Sequence, residues 1–245
     1  MLSFLIDSNL GLDPAGEPWR EVFARIGIAS TSTTDLAELD RSVAAHEPDI
    51  VFLPIADFHR VLASGDRHYR GLTMLTSRLT GSTNLPSVLV VRKDDPATCL
   101  TDLAGASFGY INSSCTSSYY ALAILVQRSG FSLADFGVMC RTAPWQGQID
   151  AVVSGDVRAT MVLEDVWKSA PVNADTTKIV GRYDRATGAV TVIREGLAPP
   201  VVSALRDALL TWKPQPGALF GGFATFTESG VAAFFADLDQ LPATL

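Results

Sequence analysis

The chain has few of the residues that build disulfide frameworks, metal centres or basic binding surfaces. Its three cysteines, Cys99, Cys115 and Cys140, are an odd number without CxxC spacing, so neither a disulfide framework nor a zinc site is expected. The three histidines do not recur at a spacing that would place them on one helical face. We therefore predict a protein that holds no metal ion and needs no cofactor.

Positive charge is also scarce. Lys and Arg number 19 against 26 Asp and Glu, the net charge is −7, and no basic run occurs. Because proteins that bind nucleic acids carry a basic footprint, we expect no nucleic-acid partner. Residues 103–127 lack charged side chains but include Gly105, Gly109 and Asn112, so they do not form an apolar segment that inserts into a membrane.

The first residues, Met1–Asp7, lack the basic region and the long apolar segment of a secretory signal peptide. As written, the chain is therefore expected in the cytoplasm, and a leader preceding it would place the protein in the periplasm. At 245 residues it can bury a substantial core without a disulfide or metal.

Short apolar segments alternate with segments of helical periodicity, which predicts an α/β fold built from βαβ units. No stretch has the composition of a flexible linker, so two lobes would be joined by ordered hinge strands. We predict one lobe from residues 1–84 plus 190–245 and a second from 85–189, each a mostly parallel sheet flanked by helices. The predicted segments are strands at 2–7, 49–53, 72–76, 87–92, 107–111, 137–140, 159–163, 178–180 and 189–194, and helices at 18–26, 117–128, 146–154, 200–211 and 228–238.

The segment Phe108–Leu125 runs from a strand through a hydroxyl-rich turn into a helix. Ser114, Thr116 and Ser117 lie where the first helical N–H groups have no partners within the helix. No acidic residue occurs between Asp102 and Asp135, although first turns usually favour one. The pattern predicts an anion site, and plain N-capping by the hydroxyls is the alternative.

Several segments together are similar to the phosphonate/phosphate solute-binding proteins of ABC transporters. The similar segments, in chain order, are Asp49–Pro54, Val88–Pro96, Leu100–Gly105, Phe108–Tyr119, Ile149–Gly155, Val192–Leu197 and Leu205–Leu210. The resemblance spans about residues 36–212 and implies a type II periplasmic-binding-protein fold, with the ligand between two lobes. It also implies that the turn Cys115-Thr116-Ser117 holds the phosphonate, and that an ABC permease is a partner. From the hydroxyl pattern itself we expect Ser114 to bind the same oxyanion.

Three positions depart from the family pattern. Cys115 replaces a serine of the turn, Trp145 stands where the family often has a histidine, and Arg158 stands where it has an acid that can meet a ligand amine. We expect Trp145 to form a wall of the ligand site and Arg158 to pair with an anionic group. A core position for the tryptophan and a solvated one for the arginine are the alternatives.

Other candidates follow predicted strand ends, where open parallel sheets bind ligands. Asn9 follows the first strand, and Asp57 and Phe58 follow the strand at 49–53. Helix capping explains Asn9 and Asp57 equally well. Cys115 at a helix N-terminus could act as a nucleophile, but no histidine base lies near it in the sequence.

We therefore predict a monomeric, non-enzymatic protein that binds a small oxyanion as the solute-binding component of an ABC uptake system. One alternative is a cytoplasmic enzyme on the same fold, similar to the chorismate-processing enzymes of menaquinone synthesis, with Arg158, Trp145 and the turn forming its pocket. Another is a ligand sensor. Fold alone does not separate these functions.

Overall fold

The computed structural model describes residues 2–6, 19–30, 36–135 and 137–242. Its contacts divide the chain into two compact units. Unit 1 comprises Met1–Thr83 with Gly188–Gly230, and unit 2 comprises Asn84–Thr187 with Val231–Leu245. The chain therefore passes from one unit to the other at 83/84, 187/188 and 230/231.

Unit 1 is built on a six-stranded sheet in the order β11-β4-β10-β3-β1-β2. Its strands are β1 Ser3–Ile6, β2 Ala29–Ser30, β3 Ile50–Leu53, β4 Tyr69–Ser77, β10 Val190–Arg194 and β11 Phe220–Thr225. Its helices are α1 Trp19–Ile26, α2 Leu36–Ala44, α3 Ile55–Ala63 and α8 Pro199–Thr211. Strand β3 is buried along its whole length, as its continuous apolar sequence requires.

Unit 2 is built on a five-stranded sheet in the order β7-β6-β8-β5-β9. Its strands are β5 Ser87–Arg92, β6 Ser107–Tyr110, β7 Val138–Arg141, β8 Ala159–Leu163 and β9 Thr177–Tyr183. Its helices are α4 Ala121–Arg128, α5 Gln146–Ser154, α6 Glu164–Ser169 and α7 Pro171–Thr176, and α9 Glu228–Leu238 begins in unit 1 and ends here. A π-helical turn, Thr116–Tyr120, leads directly into α4.

The α/β architecture with two helix-flanked sheets is confirmed, but the strand pairing is mixed rather than mostly parallel. In unit 1, β1 pairs in parallel with β2 and β3, whereas β10 lies antiparallel between β3 and β4. In unit 2, β5 lies antiparallel between β8 and β9. Strands β5 and β10 are the first strands after the chain changes unit, and each enters its sheet against the direction of its neighbours.

The C-terminal end also divides differently from the predicted 190–245 lobe, because residues 231–245 cluster with unit 2. The Tyr183 hydroxyl donates to Asp237 Oδ2 at 2.7 Å, and the ring of Phe234 lies 6.2 Å from that of Tyr183. These contacts attach the second half of α9 to the end of β9. Helices α3, α6 and α7 and strands β2 and β11 were not predicted.

Among the residues that the structure describes, no helix combines the length and the apolar character needed to cross a bilayer. The charge-free stretch 103–127 is divided between a strand, a turn and helical segments.

Candidate functional site

One edge of the unit 2 sheet collects the starts of several helices. Strands β6, β7 and β8 run parallel, so their carboxyl ends lie at the same edge. The π-helical turn follows β6, α5 follows β7, and α6 follows β8 directly. Because ligands in open α/β sheets bind beyond the carboxyl ends of the strands, a ligand site is expected at this edge.

The turn after β6 is held by its own polar groups. Asn112 Oδ1 accepts a hydrogen bond from the Ser114 N–H at 2.9 Å, and Asn112 O accepts one from the Cys115 N–H at 3.2 Å. Ser118, which is fully buried, accepts a hydrogen bond at its Oγ from the Ile111 N–H at 3.1 Å. Sequence reasoning missed Asn112 and Ser118 as the residues that shape the turn, although an Asn two residues before a Ser is a signal for it.

The first N–H groups of the π-helical turn Thr116–Tyr120 are available to bind a ligand. Cys115 O accepts hydrogen bonds from the Tyr119 and Tyr120 N–H groups, whereas the N–H groups of Thr116, Ser117 and Ser118 have no acceptor among the described residues. The Thr116 Oγ1 atom is buried and also lacks a described partner, with the residue only 8% exposed. Ser117 is 5% exposed, and its Oγ lies 3.4 Å from Cys115 Sγ.

This geometry favours an anion site over plain N-capping. The cap residue is Cys115, and its side chain makes no capping hydrogen bond. The hydroxyls of the turn therefore do not serve as the cap of this helix. No acidic residue lies in its first turn, and available N–H groups at the positive end of a helix dipole attract anions. A π-helical turn is uncommon and occurs often at functional sites.

Trp145 lies at the same edge, in a strained turn immediately before α5. The Gly147 N–H donates to Pro144 O at 3.1 Å, which closes a four-residue turn. Trp145 is the second residue of that turn, with φ 59° and ψ −112°. These angles define a type II′ turn, whose second position normally requires glycine. Such strain persists where the surroundings impose it and is frequent at ligand clamps.

Two amide side chains in the first turn of α5 bond to other parts of unit 2. Gln146 and Asn173 form a reciprocal amide pair with distances of 2.9 and 3.2 Å. Gln148, fully buried, donates from Nε2 to Thr160 Oγ1 and to Met161 O, each at 3.1 Å. Sequence reasoning did not identify these residues, since a glutamine in a helix gives no signal of its partner.

Arg158 lies at the amino end of β8, one residue before the strand begins. Its N–H donates to Ser107, at the amino end of β6, while the turn follows the carboxyl end of that strand. Its guanidinium grips Asp95 through two hydrogen bonds of 2.9 and 3.1 Å, which hold the pKa of the Asp95 carboxyl below its usual range. The structure therefore places Arg158 at the opposite end of strand β6 from the turn, with its charge paired to Asp95.

The remaining candidates belong to unit 1. Asp57 is the third residue of α3, after the cap residue Pro54, and its buried Oδ1 accepts from Arg60 Nη2 at 2.6 Å. It lines a cavity of about 370 Å³ formed by residues of α2 and α3. Phe58 is 1% exposed and packs edge-on against Phe226 at 5.8 Å, so it belongs to the core of unit 1. Asn9 lies outside the described residues.

Solved structures define the class of fold. A binding-protein component of an ABC phosphonate transporter from Pseudomonas aeruginosa has a TM-score of 0.71 at 16% identity, covering 99% of this chain and 90% of that one. PhnD1 from Prochlorococcus marinus, solved with methylphosphonate, has a TM-score of 0.73 at 11% identity, covering 98% and 97%. The aliphatic sulphonate-binding protein SsuA from Escherichia coli has a TM-score of 0.59 at 12% identity, covering 97% and 85%. The fold is that of the type II periplasmic binding proteins.

The family follows from the sequence itself. Residues 26–228 match the family described as "ABC transporter, phosphonate, periplasmic substrate-binding protein", and the chain belongs to this family. No curated protein matches the chain. The resemblance expected from the order of motifs is thus confirmed. The family is a periplasmic, solute-binding component of transporters that works with permeases and is not an enzyme, which agrees with the non-enzymatic function expected from the sequence.

Proposed function

We propose that the turn Asn112–Ser118 binds the oxyanion of a small phosphonate or phosphate, which the protein delivers to an ABC permease. Thr116 and Ser117 donate through their hydroxyls and N–H groups, and Ser118 adds its N–H group. Cys115 borders the oxyanion, the Ser114 hydroxyl is a further donor, and Trp145 forms a wall of the site. Ligand binding by Asn9 and Asp57 of unit 1 stays a prediction.

The buried, unpartnered Thr116 Oγ1 carries the proposal. Leaving a buried hydroxyl without a partner costs about 1–3 kcal/mol, whereas a hydrogen bond to a charged group is worth about 1.5–3 kcal/mol. Three or four such bonds would supply much of the roughly −8 kcal/mol of a micromolar complex. The net affinity is smaller than their sum because ordering and desolvation oppose binding.

The relatives support a tetrahedral oxyanion as the ligand. PhnD1 was solved with methylphosphonate, and SsuA is a sulphonate-binding protein. Phosphonates, phosphates and sulphonates all present at least three oxygens around a tetrahedral central atom, which suits a ring of N–H and O–H donors. An acidic protein of net charge −7 must attract such an anion by local dipoles rather than by its overall field.

Calorimetry with methylphosphonate tests the proposal on the wild type and on the double variant Thr116→Val/Ser117→Ala. We expect the double variant to bind about 100-fold or more weakly, since two hydrogen bonds to a charged group are lost. The matched control is Ser129→Ala/Thr176→Val, which removes the same two kinds of hydroxyl from helix carbonyl contacts elsewhere in unit 2. If the double variant binds methylphosphonate as tightly as the wild type, the turn only begins the helix and does not bind the ligand.

The same proposal includes the compartment and the oligomeric state. We expect a monomer that works in the periplasm, where the family operates. Fractionation of cells that express the natural gene, followed by gel filtration of the recovered protein, measures both. Recovery in the cytoplasmic fraction would instead favour the sensor alternative.

A further inference from the structure

Several buried polar groups of unit 2 have no partner among the described residues, and two of them, on segments that leave the same sheet edge, differ in what they can do. Thr116 Oγ1 has no described partner, and neither has Gln148 Oε1. A threonine hydroxyl can donate its proton, whereas an amide oxygen can only accept. Thr116 opens the helix after β6, and Gln148 lies in the first turn of the helix after the parallel strand β7. Both therefore belong to the segments that leave the same sheet edge.

The orientation of the Gln148 amide is fixed by its neighbours. Its Nε2 donates to Met161 O, which can only accept, and to Thr160 Oγ1. The Thr160 hydroxyl gives its own proton to Gly109 O at 2.9 Å, so it must accept from Gln148. An exchange of the amide oxygen and nitrogen would leave both contacts without a donor. Gln148 therefore presents a buried acceptor, Oε1, in a fixed orientation and without a described partner.

We infer that Gln148 Oε1 accepts a hydrogen bond from a P–OH group of the ligand, and so makes the site specific for a protonated phosphonate or phosphate over a sulphonate. This inference rests on the proposed function of the turn. A singly protonated phosphonate has acceptor oxygens for Thr116 and the N–H groups and one donor for Gln148. A sulphonate has three acceptors and no proton, so it would face Gln148 with oxygen against oxygen.

The preference has a consequence for pH. The second proton of a phosphate ester has a pKa of about 6, and a phosphonate holds its proton more tightly because carbon withdraws less charge than oxygen. If Gln148 requires that proton, the affinity for methylphosphonate falls about tenfold for each pH unit above the ligand's second pKa. A site that attracts only charge behaves in the opposite way, because the dianion binds more tightly as pH rises.

Calorimetry with methylphosphonate and methanesulphonate from about pH 5.5 to about pH 8.5, across the second ionisation of phosphonates, tests the inference. Methanesulphonate keeps one charge throughout, so it reports any titration of the protein itself. We expect methylphosphonate to bind at least about tenfold more tightly at the acidic end, and this advantage to shrink as pH rises. In Gln148→Met the two ligands should bind within about twofold of each other.

The matched control is Gln146→Met, which removes another amide of α5 whose groups are paired with Asn173. It should keep the preference for methylphosphonate, and thermal unfolding of each variant shows that it is folded. If Gln148→Met does not fold, the pH profile of the wild type decides alone. The inference is wrong if the wild type binds methylphosphonate and methanesulphonate equally well, or if its affinity for methylphosphonate rises with pH. It is also wrong if the wild type prefers 2-aminoethylphosphonate to methylphosphonate and its affinity does not depend on pH. Each of these results leaves the proposed function standing. Failure of every oxyanion to bind would overturn both.

Discussion

Replacing alanine by glycine usually lowers the stability of a protein, and the strained turn at Trp145 predicts the reverse at that position. At φ 59° and ψ −112° a side chain with a Cβ is strained by about 1–3 kcal/mol, and glycine is not. The half-buried indole also makes contacts that any small residue would lose. Comparing Trp145→Ala with Trp145→Gly separates the two effects, because both variants lose the indole and only the second loses the strain.

We expect Trp145→Gly to be more stable than Trp145→Ala by about 1 kcal/mol. This is the relief of strain less the roughly 0.5–1 kcal/mol that glycine costs through the entropy of the unfolded chain. Both variants should bind methylphosphonate at least about tenfold more weakly, because a wall of the site is gone. Stability would then increase from alanine to glycine while binding stays impaired, as expected for strain retained at a ligand site.

Urea unfolding followed by circular dichroism measures the difference in the free energy of unfolding. The control is Ala104→Gly, an exposed residue of unit 2 at φ −56°, where glycine should cost about 0.5–1 kcal/mol. If Trp145→Gly is less stable than Trp145→Ala by as much as the control, the turn stores no strain. Unchanged affinity for methylphosphonate in both variants would show that the indole is not part of the site.

Two other substitutions separate the architecture of unit 2 from ligand binding. Ser118→Ala leaves the buried Ile111 N–H without its acceptor, so we expect a loss of about 1–3 kcal/mol in urea unfolding together with weaker methylphosphonate binding in calorimetry. Arg158→Met should change the affinity for methylphosphonate by less than about twofold, because the arginine is paired with Asp95 away from the turn. A tenfold loss of affinity in Arg158→Met would return that residue to the ligand site.

Elements bounded by local signals were predictable from the sequence. Helix α5 was placed at Gln146–Ser154 because Gly155 ends it in a left-handed conformation, and the structure has the same bounds. Strands β5 and β8 also have the predicted bounds, because a short apolar run that ends at polar residues or a turn indicates a buried strand. The hydroxyl turn and the helix after it followed from the same kind of local pattern.

Features that depend on distant partners were not predictable. The antiparallel direction of β5 and β10 is set by how the chain changes unit, which no local pattern records. Arg158 was expected at the ligand because it replaces an acid of the family pattern. Its pairing with Asp95 was not predicted because that partner lies 63 residues away in the sequence. The turn at Trp145 was also not predicted, because a large aromatic residue gives no local signal that its φ is positive.

The pair formed by Asp95 and Arg158 should make part of the acid stability of unit 2 depend on the Asp95 carboxylate. The hydrogen bonds from Arg158 hold the pKa of folded Asp95 below its unfolded value of about 3.9. Its stabilising contribution is therefore fully present above about pH 4 and is lost as pH falls through the folded pKa. We expect Asp95→Asn to lower the free energy of unfolding by about 1–3 kcal/mol at neutral pH, and by clearly less near pH 2. Asp156→Asn is the control, since this exposed carboxylate accepts a hydrogen bond from the Ser154 hydroxyl. A deficit in Asp95→Asn that is the same at both pH values would mean that the Asp95 carboxylate contributes packing but no charge-dependent stability.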